Sequence, residues 1–329
     1  ELLNETTHTK NMSNCKVYIE THGCKLNMAD SQSMSSEFER RGFSVSDRIN
    51  NPDVYILNSC TVTSTADKKA RKSLNSAKKR WPNALIVATG CYAERADKEL
   101  NEMGSVDLVV KGSNKSDIVS SVVEYIGDYE YLDTENERNF SGNLLGRTRA
   151  SIKIQEGCDQ VCSYCIVPKV RGRERSVPLI KILESIIKLS KVGVKEVILT
   201  GTQLGSYGFE TTNMSLAKLI EAILIQTDIQ RLRVSSIQPQ ELTDDLLNIW
   251  RTNSRLCKHF HLPLQSGSNK ILKNMRRRYT SEMFLRSVER IRSLISDASI
   301  TTDVITGFPG ETEKDHNASL IVLERAQLA

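Results

Sequence analysis

Short apolar runs alternate with longer amphipathic segments along the whole chain. In the first half, the apolar runs predict strands, and the segments between them have the apolar spacing of helices. Predicted strands cover residues 17–21, 43–45, 54–57, 85–88 and 106–110, and predicted helices cover residues 28–41, 66–80 and 116–126. Strands that alternate with helices favour a mostly parallel sheet with helices on both faces. The pattern therefore predicts an α/β fold with an N-terminal doubly wound parallel-sheet domain.

The second half repeats the order of strand and helix. Predicted strands cover residues 151–155, 196–200, 232–237, 259–264 and 300–305, and predicted helices cover residues 179–192, 216–226, 243–253, 281–295 and a segment that opens near residue 311. This succession of βα units fits a barrel or partial barrel, and it fits an open doubly wound sheet equally well. In a barrel, the reactive groups would lie at the carboxyl ends of the strands.

A polar stretch separates the two halves. Residues 127–146 carry few apolar side chains, and most of their acidic residues fall between residues 128 and 137. We interpret residues 128–146 as a linker between domains at residues 15–127 and 147–329. Residue 1 is not Met, and a helical pattern continues to the last residue without a cap, so we interpret the sequence as a fragment.

Composition narrows the class of protein. The chain has 329 residues, of which 39% are apolar and 26% charged, which excludes a disordered chain. No run approaches the ~20 apolar residues that span a bilayer, and the polar N-terminus lacks the apolar segment of a signal peptide. We therefore expect a cytoplasmic protein that does not bind membranes. The net charge of +5 permits a nucleic-acid partner without indicating one.

Three of the eight cysteines each follow a predicted strand closely. Cys24, Cys60 and Cys91 end the segments VYIETHGC, VYILNSC and LIVATGC. Because ligands of open α/β sheets bind outside the carboxyl ends of the strands, these thiols are expected to converge there. The alternative is three buried structural thiols, since free cysteine is often buried. Cys15 and Cys257 are interpreted as structural.

Three further cysteines lie within one short loop. Cys158, Cys162 and Cys165 form a CxxxCxxC run directly after the first strand of the second half. An iron–sulfur cluster is normally held by four thiolates, and no fourth cysteine lies nearby, which would leave one iron open. An open coordination position is typical of a catalytic metal. The alternatives are a zinc knuckle or three inert thiols.

This loop resembles the S-adenosylmethionine (SAM) site of the radical SAM superfamily, with Tyr164 before the last cysteine. From about residue 15 onward, the chain is similar to the methylthiotransferases. The matching segments are THGCKLNMADS (21–31), NSCTVT (58–63), TGCYAE (89–94), RTRASIKIQEGCDQVCSYCIVPKVRGRERS (147–176), LTGTQLGSYG (199–208), HLPLQSGSNKILKNMRRRY (261–279) and TDVITGFPGET (302–312). Within the family, GCKLN and the segment from residue 147 most resemble the branch that modifies N6-threonylcarbamoyladenosine at tRNA position 37.

The resemblance implies a fold and a set of cofactors. The second domain would be a radical SAM partial (β/α)6 barrel, truncated after about five βα units, and the C-terminal TRAM RNA-binding domain of the family would be absent. The cofactors would be SAM and two 4Fe–4S clusters. Cys158, Cys162 and Cys165 would hold the cluster that binds SAM, and Cys24, Cys60 and Cys91 would hold an auxiliary cluster that presents the sulfur for transfer.

The resemblance also implies further contacts. SAM contacts are expected at Tyr164 and at strand ends, which are Gly201, Ser235, Gln265 and Gly307, although each glycine could be an ordinary turn residue. No side chain is assigned as catalytic, because the cofactor supplies the chemistry that removes hydrogen from an aromatic carbon.

Basic residues beside the loop bear on the RNA partner. Arg171 and Arg173 lie next to the CxxxCxxC run, where we expect them to contact tRNA phosphates. A second basic stretch, in predicted helix 66–80, could equally be a solvated face. The expected partners are the tRNA anticodon loop and a low-potential electron donor such as flavodoxin or ferredoxin, and we expect a monomer.

The function implied by the resemblance is transfer of a methylthio group to C2 of N6-threonylcarbamoyladenosine at tRNA position 37. Three alternatives stay open. Two keep the chemistry and change the substrate, to isopentenyladenosine-37 of tRNA or to ribosomal protein S12. The third is a non-catalytic iron–sulfur protein that binds RNA or transfers electrons.

Overall fold

A computed structural model describes residues 15–46, 50–127, 145 and 147–329. The chain divides into two compact units, residues 1–147 and 148–329. The predicted linker at residues 128–146 lies outside the described residues except for Leu145. Across the part of the chain that is described, no helix combines the length and the apolar character needed to cross a bilayer.

The first unit is a parallel sheet with helices between its strands. Its elements are β1 (Lys16–His22), α1 (Lys25–Arg40), β2 (Ser44–Ser46), β3 (Val54–Ser59), α2 (Ser64–Arg80), β4 (Leu85–Gly90), α3 (Cys91–Arg95), α4 (Asp97–Asn101), β5 (Leu108–Lys111), a 3₁₀ helix (Gly112–Asp117) and α5 (Ile118–Ile126). The strand order is β2-β1-β3-β4-β5, and every pair is parallel. This order changes direction between β1 and β3, which is the topological switch point of a doubly wound sheet.

Apolar side chains on both faces of the sheet explain why its central strands read as continuous apolar runs. Val54 and Ile56 of β3 pack with α1 and α5 in one core, whereas Tyr55 and Leu57 pack with α2, α3 and α4 in the other. Burial of each such side chain contributes about 1.5–3 kcal/mol. The predicted doubly wound domain is therefore confirmed.

Strands and helices alternate along most of the second unit. Its elements are β6 (Arg149–Lys153), β7 (Gln155–Glu156), α6 (Val167–Arg171), β8 (Arg175–Ser176), α7 (Leu179–Lys191), β9 (Glu196–Thr200), a 3₁₀ helix (Leu204–Ser206), α8 (Leu216–Gln226), β10 (Arg231–Val234), a 3₁₀ helix (Pro239–Glu241), α9 (Asp244–Thr252), β11 (His259–His261), α10 (Asn269–Asn274), α11 (Ser281–Leu294), β12 (Ser299–Thr301) and α12 (Glu313–Ala326).

The strand pairing decides between a barrel and an open sheet. Strands β6, β9 and β10 pair in parallel, as do β11 and β12. A parallel bridge between Ser236 and His261 links the two groups. The order β6-β9-β10-β11-β12 follows the chain without reversal, as in a barrel. The predicted partial barrel is confirmed, and β7 and β8 form a separate antiparallel pair.

Candidate functional site

The strand register of the first unit aligns the three positions that precede its cysteines. His22 of β1 lies opposite Ser59 of β3, and Ser59 lies opposite Gly90 of β4. The amide of Cys60 donates to the carbonyl of His22 at 2.8 Å. Cys24, Cys60 and Cys91, the first-unit cysteines, therefore leave the sheet at one edge, beside the switch point between β1 and β3.

The first-unit cysteines interact with one another. Cys60 and Cys91 are buried and Cys24 is exposed. Burial raises the pKa of the Cys60 thiol, and the negative charge on Cys91 and Cys24 raises it further. A bound cation would favour ionisation of the Cys60 thiol, since the ligand form of cysteine is the thiolate.

Two glycines allow the close packing at this edge. Gly90 has φ +97°, and a Cβ there would lie 2.5 Å from the Ser59 carbonyl oxygen. Gly23 has φ +144°, and a Cβ there would lie 2.9 Å from the Cβ of Cys60. Each glycine directly precedes a first-unit cysteine, so both act by letting the chain turn where the thiols gather.

Buried asparagines support the same edge, and sequence reasoning did not find them. The Cys24 thiol donates to Asn27 Oδ1 at 3.3 Å, and Asn27 Nδ2 donates to Asn58 Oδ1 at 3.2 Å. Asn58 Nδ2 donates to the Asn27 carbonyl at 2.8 Å. Both asparagines are fully buried. The available signal was Asn58 at the end of the apolar run VYIL, whereas Asn27 lies in a mainly polar segment that gives no such signal.

The second group, Cys158, Cys162 and Cys165, lies on the loop between β7 and α6 and is called the loop cysteines. The amide of Cys158 donates to the Gly172 carbonyl at 3.2 Å, and the amide of Cys165 donates to the Cys162 carbonyl at 3.1 Å. Burial raises the pKa of Cys158 to about 11, and Cys165 and Cys162 contribute to the rise. Cys162 and Cys165 are therefore close enough to Cys158 to oppose its ionisation.

Both cysteine groups have the donor type of an iron–sulfur cluster. Among the described residues, no three His, Cys, Asp or Glu side chains are placed to hold one metal ion. In an iron–sulfur cluster each thiolate binds a different iron, so the ligands surround the cluster and need not converge on a point. Each group consists of free thiols only, which is the donor set of such a cluster. The residues fit an iron–sulfur cluster on this chemistry.

The predicted SAM contacts on the strand ends differ in their surroundings. Gly201 follows β9, and a Cβ there would lie 2.9 Å from the Gln155 carbonyl oxygen, so the chain itself requires this glycine. Ser235 follows β10, and its buried Oγ has no hydrogen-bond partner. Gln265 has φ +64° and bridges to Val304. Of these three, Ser235 shows the unsatisfied polar atom that a ligand could satisfy.

The remaining two predicted contacts lie on open loops. Nothing approaches within 4 Å of a Cβ built on Gly307, whose φ is +72°. The neighbouring Phe308 packs edge-on against Tyr164, with ring centroids 6.3 Å apart. Tyr164 is 40% exposed. The contact between Phe308 and Tyr164 places the loop after β12 beside the loop cysteines, at the carboxyl ends of the barrel strands.

The structure separates the two predicted RNA contacts. The Arg171 side chain is only 4% exposed, and its Nη1 lies 2.8 Å from Glu156 Oε1. A buried guanidinium held by a carboxylate has no surface for a phosphate, so the prediction for Arg171 is corrected. The Arg173 side chain is 90% exposed, with Asp159 at 3.6 Å. Of this pair, only Arg173 is exposed to solvent.

Three side chains behind the loop cysteines were also missed. Cys158 donates to Gln203 Oε1 at 3.1 Å, and Arg277 Nη1 donates to Cys162 Sγ at 3.3 Å. Gln238 Oε1 accepts from Arg277 Nη2 at 3.1 Å. Arg277 stands in a run of three arginines, which reads in sequence as a solvated basic patch. Only the fold shows that the middle arginine turns inward.

Comparison with known families covers both units. Residues 16–111 match an uncharacterized protein family, UPF0004, and residues 152–320 match the radical SAM superfamily. Among curated proteins, the threonylcarbamoyladenosine tRNA methylthiotransferase MtaB of Aquifex aeolicus is 38% identical over 322 residues, covering 95% of this chain and 78% of the relative. The tRNA-2-methylthio-N(6)-dimethylallyladenosine synthase of Fusobacterium nucleatum is 36% identical, covering 94% of this chain and 71% of the relative.

A solved structure supports the fold. The radical S-adenosylmethionine methyltransferase TsrM of Kitasatospora setae superposes with a TM-score of 0.64, at 14% identity, covering 97% of this chain and 74% of that chain. The paired domain matches and the extensive similarity to methylthiotransferases confirm the predicted family. The chain therefore belongs to the radical SAM methylthiotransferase family, and it is a transferase enzyme.

Proposed function

We propose that this enzyme transfers a methylthio group to C2 of N6-threonylcarbamoyladenosine at tRNA position 37. The observation that carries the proposal is the pairing of two three-cysteine groups, one at the edge of a doubly wound sheet and one on a barrel loop, in a methylthiotransferase. The relatives' names supply the substrate class, which is tRNA. The matched segment GCKLN and the 38% identity to an MtaB protein favour the threonylcarbamoyl substrate.

The loop cysteines are proposed to hold the 4Fe–4S cluster that membership of the radical SAM superfamily implies. When bound, this cluster and SAM supply the one-electron chemistry that breaks an unreactive C–H bond. The chain's own residues position the reactants. Ser235 offers its unpaired Oγ as a hydrogen-bonding group, and the open backbone at Gly307 leaves room for a ligand beside the loop.

The first-unit cysteines are proposed to hold a second, auxiliary cluster. Their shared edge, the two glycines that let the backbone turn there and the buried Asn27–Asn58 pair support this assignment. The sulfur that joins the base would come from this group. On this proposal, residues 15–127 form the auxiliary-cluster domain and residues 147–329 form the radical SAM domain.

The partners follow from the chemistry. The substrate is the anticodon loop, whose unpaired bases can be presented to an enzyme at little energetic expense. Arg173 is proposed to contact its phosphates. Cleavage of SAM consumes an electron, so we propose a low-potential donor such as flavodoxin or ferredoxin, acting in the cytoplasm on a monomeric enzyme.

Nucleoside mass spectrometry tests the substrate. In a strain that lacks its own methylthiotransferases, expression of this enzyme should produce 2-methylthio-N6-threonylcarbamoyladenosine in tRNA. A variant with serine at all three loop cysteines should produce none. Appearance of 2-methylthio-N6-dimethylallyladenosine instead would favour the substrate in the name of the Fusobacterium nucleatum relative. Methylthiolated ribosomal protein S12 without modified tRNA would refute the tRNA proposal.

A further inference from the structure

A short segment behind β11 holds the loop that carries the loop cysteines. The amide of Ser163 donates to the Met275 carbonyl at 3.2 Å, and Ser163 Oγ donates to the Asn274 carbonyl at 2.9 Å. Two residues further on, Arg277 Nη1 donates to Cys162 Sγ at 3.3 Å. The segment therefore fixes the loop backbone and also places a cation on one sulfur.

The Arg277 side chain is itself held from several directions. Its Nη2 donates to Gln238 Oε1 at 3.1 Å, and its Nε donates to the Tyr279 hydroxyl at 3.1 Å. The guanidinium carbon lies 4.8 Å from the centre of the Tyr279 ring. Arg276 and Arg278, by contrast, are exposed. A guanidinium fixed in this way keeps its direction toward the sulfur without further ordering.

The support continues to a second loop cysteine. The amide of Gln238 donates to Glu241 Oε2 at 3.0 Å, and Gln203 Nε2 donates to Glu241 Oε1 at 2.9 Å. Gln203 is the residue that accepts from Cys158. One chain of hydrogen bonds thus runs from Cys158 to Cys162 through side chains on the loops after β9, β10 and β11. None of these side chains belongs to the cysteine motif.

A fixed cation beside a ligand sulfur has a definite electrostatic consequence. One-electron reduction adds one negative charge to an iron–sulfur cluster, and no proton needs to move. Hydrogen bonds to the sulfurs and nearby positive charge favour the reduced state and so raise the reduction potential. The effect is large where the charge is partly buried, because a low local dielectric weakens screening.

We propose that Arg277 is a positioning residue that sets the reduction potential of the cluster held by the loop cysteines, by donating a charged hydrogen bond to the Cys162 sulfur. The inference rests on the proposed function, which makes these cysteines the cluster ligands. The role proposed for Arg277 is to let a physiological electron donor reduce this cluster. It assigns an inward function to the middle residue of a basic run whose other two arginines are exposed.

A redox titration of the reconstituted enzyme tests the proposal. The loop cluster is followed by electron paramagnetic resonance in a variant with alanine at all three first-unit cysteines, so that only one cluster contributes. Arg277→Gln should lower the equilibrium constant for reduction about tenfold, which corresponds to about 59 mV for a one-electron couple. Arg278→Gln is the matched control, because it removes the same charge from an exposed neighbour, and it should leave the potential unchanged.

Each outcome decides the proposal. An unchanged potential in Arg277→Gln, or an equal shift in Arg278→Gln, would overturn it. Weaker SAM binding at an unchanged potential would make Arg277 a SAM ligand instead. If Arg277→Gln takes up no iron, Arg277→Met decides, because it also removes the charge and keeps an unbranched side chain. A potential equal to that of Arg278→Met would then refute the proposal.

The proposed function fails separately. If the parent protein with Arg277 intact takes up no iron on the loop cysteines, the ligand assignment is wrong and the role of Arg277 in a cluster falls with it. If iron is taken up and only the shift is absent, the ligand assignment stands and the Arg277 inference alone is lost.

Discussion

At the scale of single residues, a buried ion pair beneath the loop cysteines supports their loop. Glu156 ends β7, two residues before Cys158, and its carboxylate contacts Arg171, Arg175 and Lys153. The Glu156 side chain is 10% exposed. Burial of this pair is not by itself stabilising, but loss of one partner leaves an uncompensated charge.

Glu156→Gln is therefore expected to destabilise the protein by about 3–5 kcal/mol, because it removes the carboxylate that contacts the buried Arg171 side chain. Urea unfolding measures the change. Arg173→Ala, on the exposed neighbour, should stay within about 0.5 kcal/mol. Equal small effects of both substitutions would contradict the structural role given to Arg171.

The ionisation of Cys158 gives a second prediction. Because burial holds the pKa of this thiol at about 11, its thiolate fraction is small at neutral pH and grows until the pH passes that value. In iron-free protein, alkylation of Cys158 by iodoacetamide should keep accelerating between pH 9 and 11. In urea-unfolded protein, the rate should level off near the ordinary thiol pKa of about 8.5. Mass spectrometry of the Cys158 peptide measures both, and identical profiles would refute the shift.

At the scale of elements, the turn from β4 into α3 depends on Gly90. A Cβ at this position would meet backbone atoms of Ser59, which belong to the neighbouring strand and have little room to move. Gly90→Ala should lower the unfolding free energy by about 1–3 kcal/mol, the range for backbone strain, and reduce iron bound per chain. Gly104→Ala is the control, because nothing lies within 4 Å of a Cβ there. An unaffected Gly90→Ala protein would contradict the close packing at this edge.

Much of the element order could be predicted from sequence, and the differences have local causes. Strand 196–200 and helix 216–226 match β9 and α8 as they stand. Strand 259–264 ends earlier, at His261, because Pro263 has no amide hydrogen to continue the ladder. Helices α3, α4, α6 and α10 were missed because five or six residues are too few to show a helical period.

Sequence could predict the site only where its residues lie close together or follow a recognisable pattern. The loop cysteines are recognisable by their spacing, and the first-unit cysteines are recognisable by their position after predicted strands. Arg277, Gln238 and Gln203 reach the loop cysteines from separate loops, so no local pattern marks them. Arg171 was misjudged because sequence gives its charge but not its burial against Glu156.

At the scale of the whole molecule, the two-cluster proposal predicts how iron divides between the units. Replacing Cys24, Cys60 and Cys91 together with alanine should remove about half of the iron, since each group would hold one of two equal clusters. Formation of 5′-deoxyadenosine from SAM with dithionite should persist. Full iron retention in this variant would refute the assignment, and loss of SAM cleavage would contradict the division of roles.

Electrostatic attraction to tRNA belongs to the same scale. Arg173→Glu should weaken tRNA binding and make the slope of log K against log salt less steep by about 0.7 to 0.9, the effect of one phosphate contact. Lys191→Glu is the matched control, because it makes the same charge change at the end of α7, on the face of the barrel away from the strands' carboxyl ends. An equal change of slope in both variants would refute a specific contact.

The chain separation of the cysteines has a consequence for assembly. The loop cysteines lie within eight consecutive residues, so a chain that has not yet folded can gather them at a small entropic cost. Cys24, Cys60 and Cys91 stand more than 30 residues apart and share an edge only after β1, β3 and β4 have paired. If both groups hold clusters, as proposed, the first-unit cysteines could bind iron only after their sheet has formed, whereas the loop cysteines could bind it earlier. Metal supply during synthesis would then act on the two units at different stages of folding.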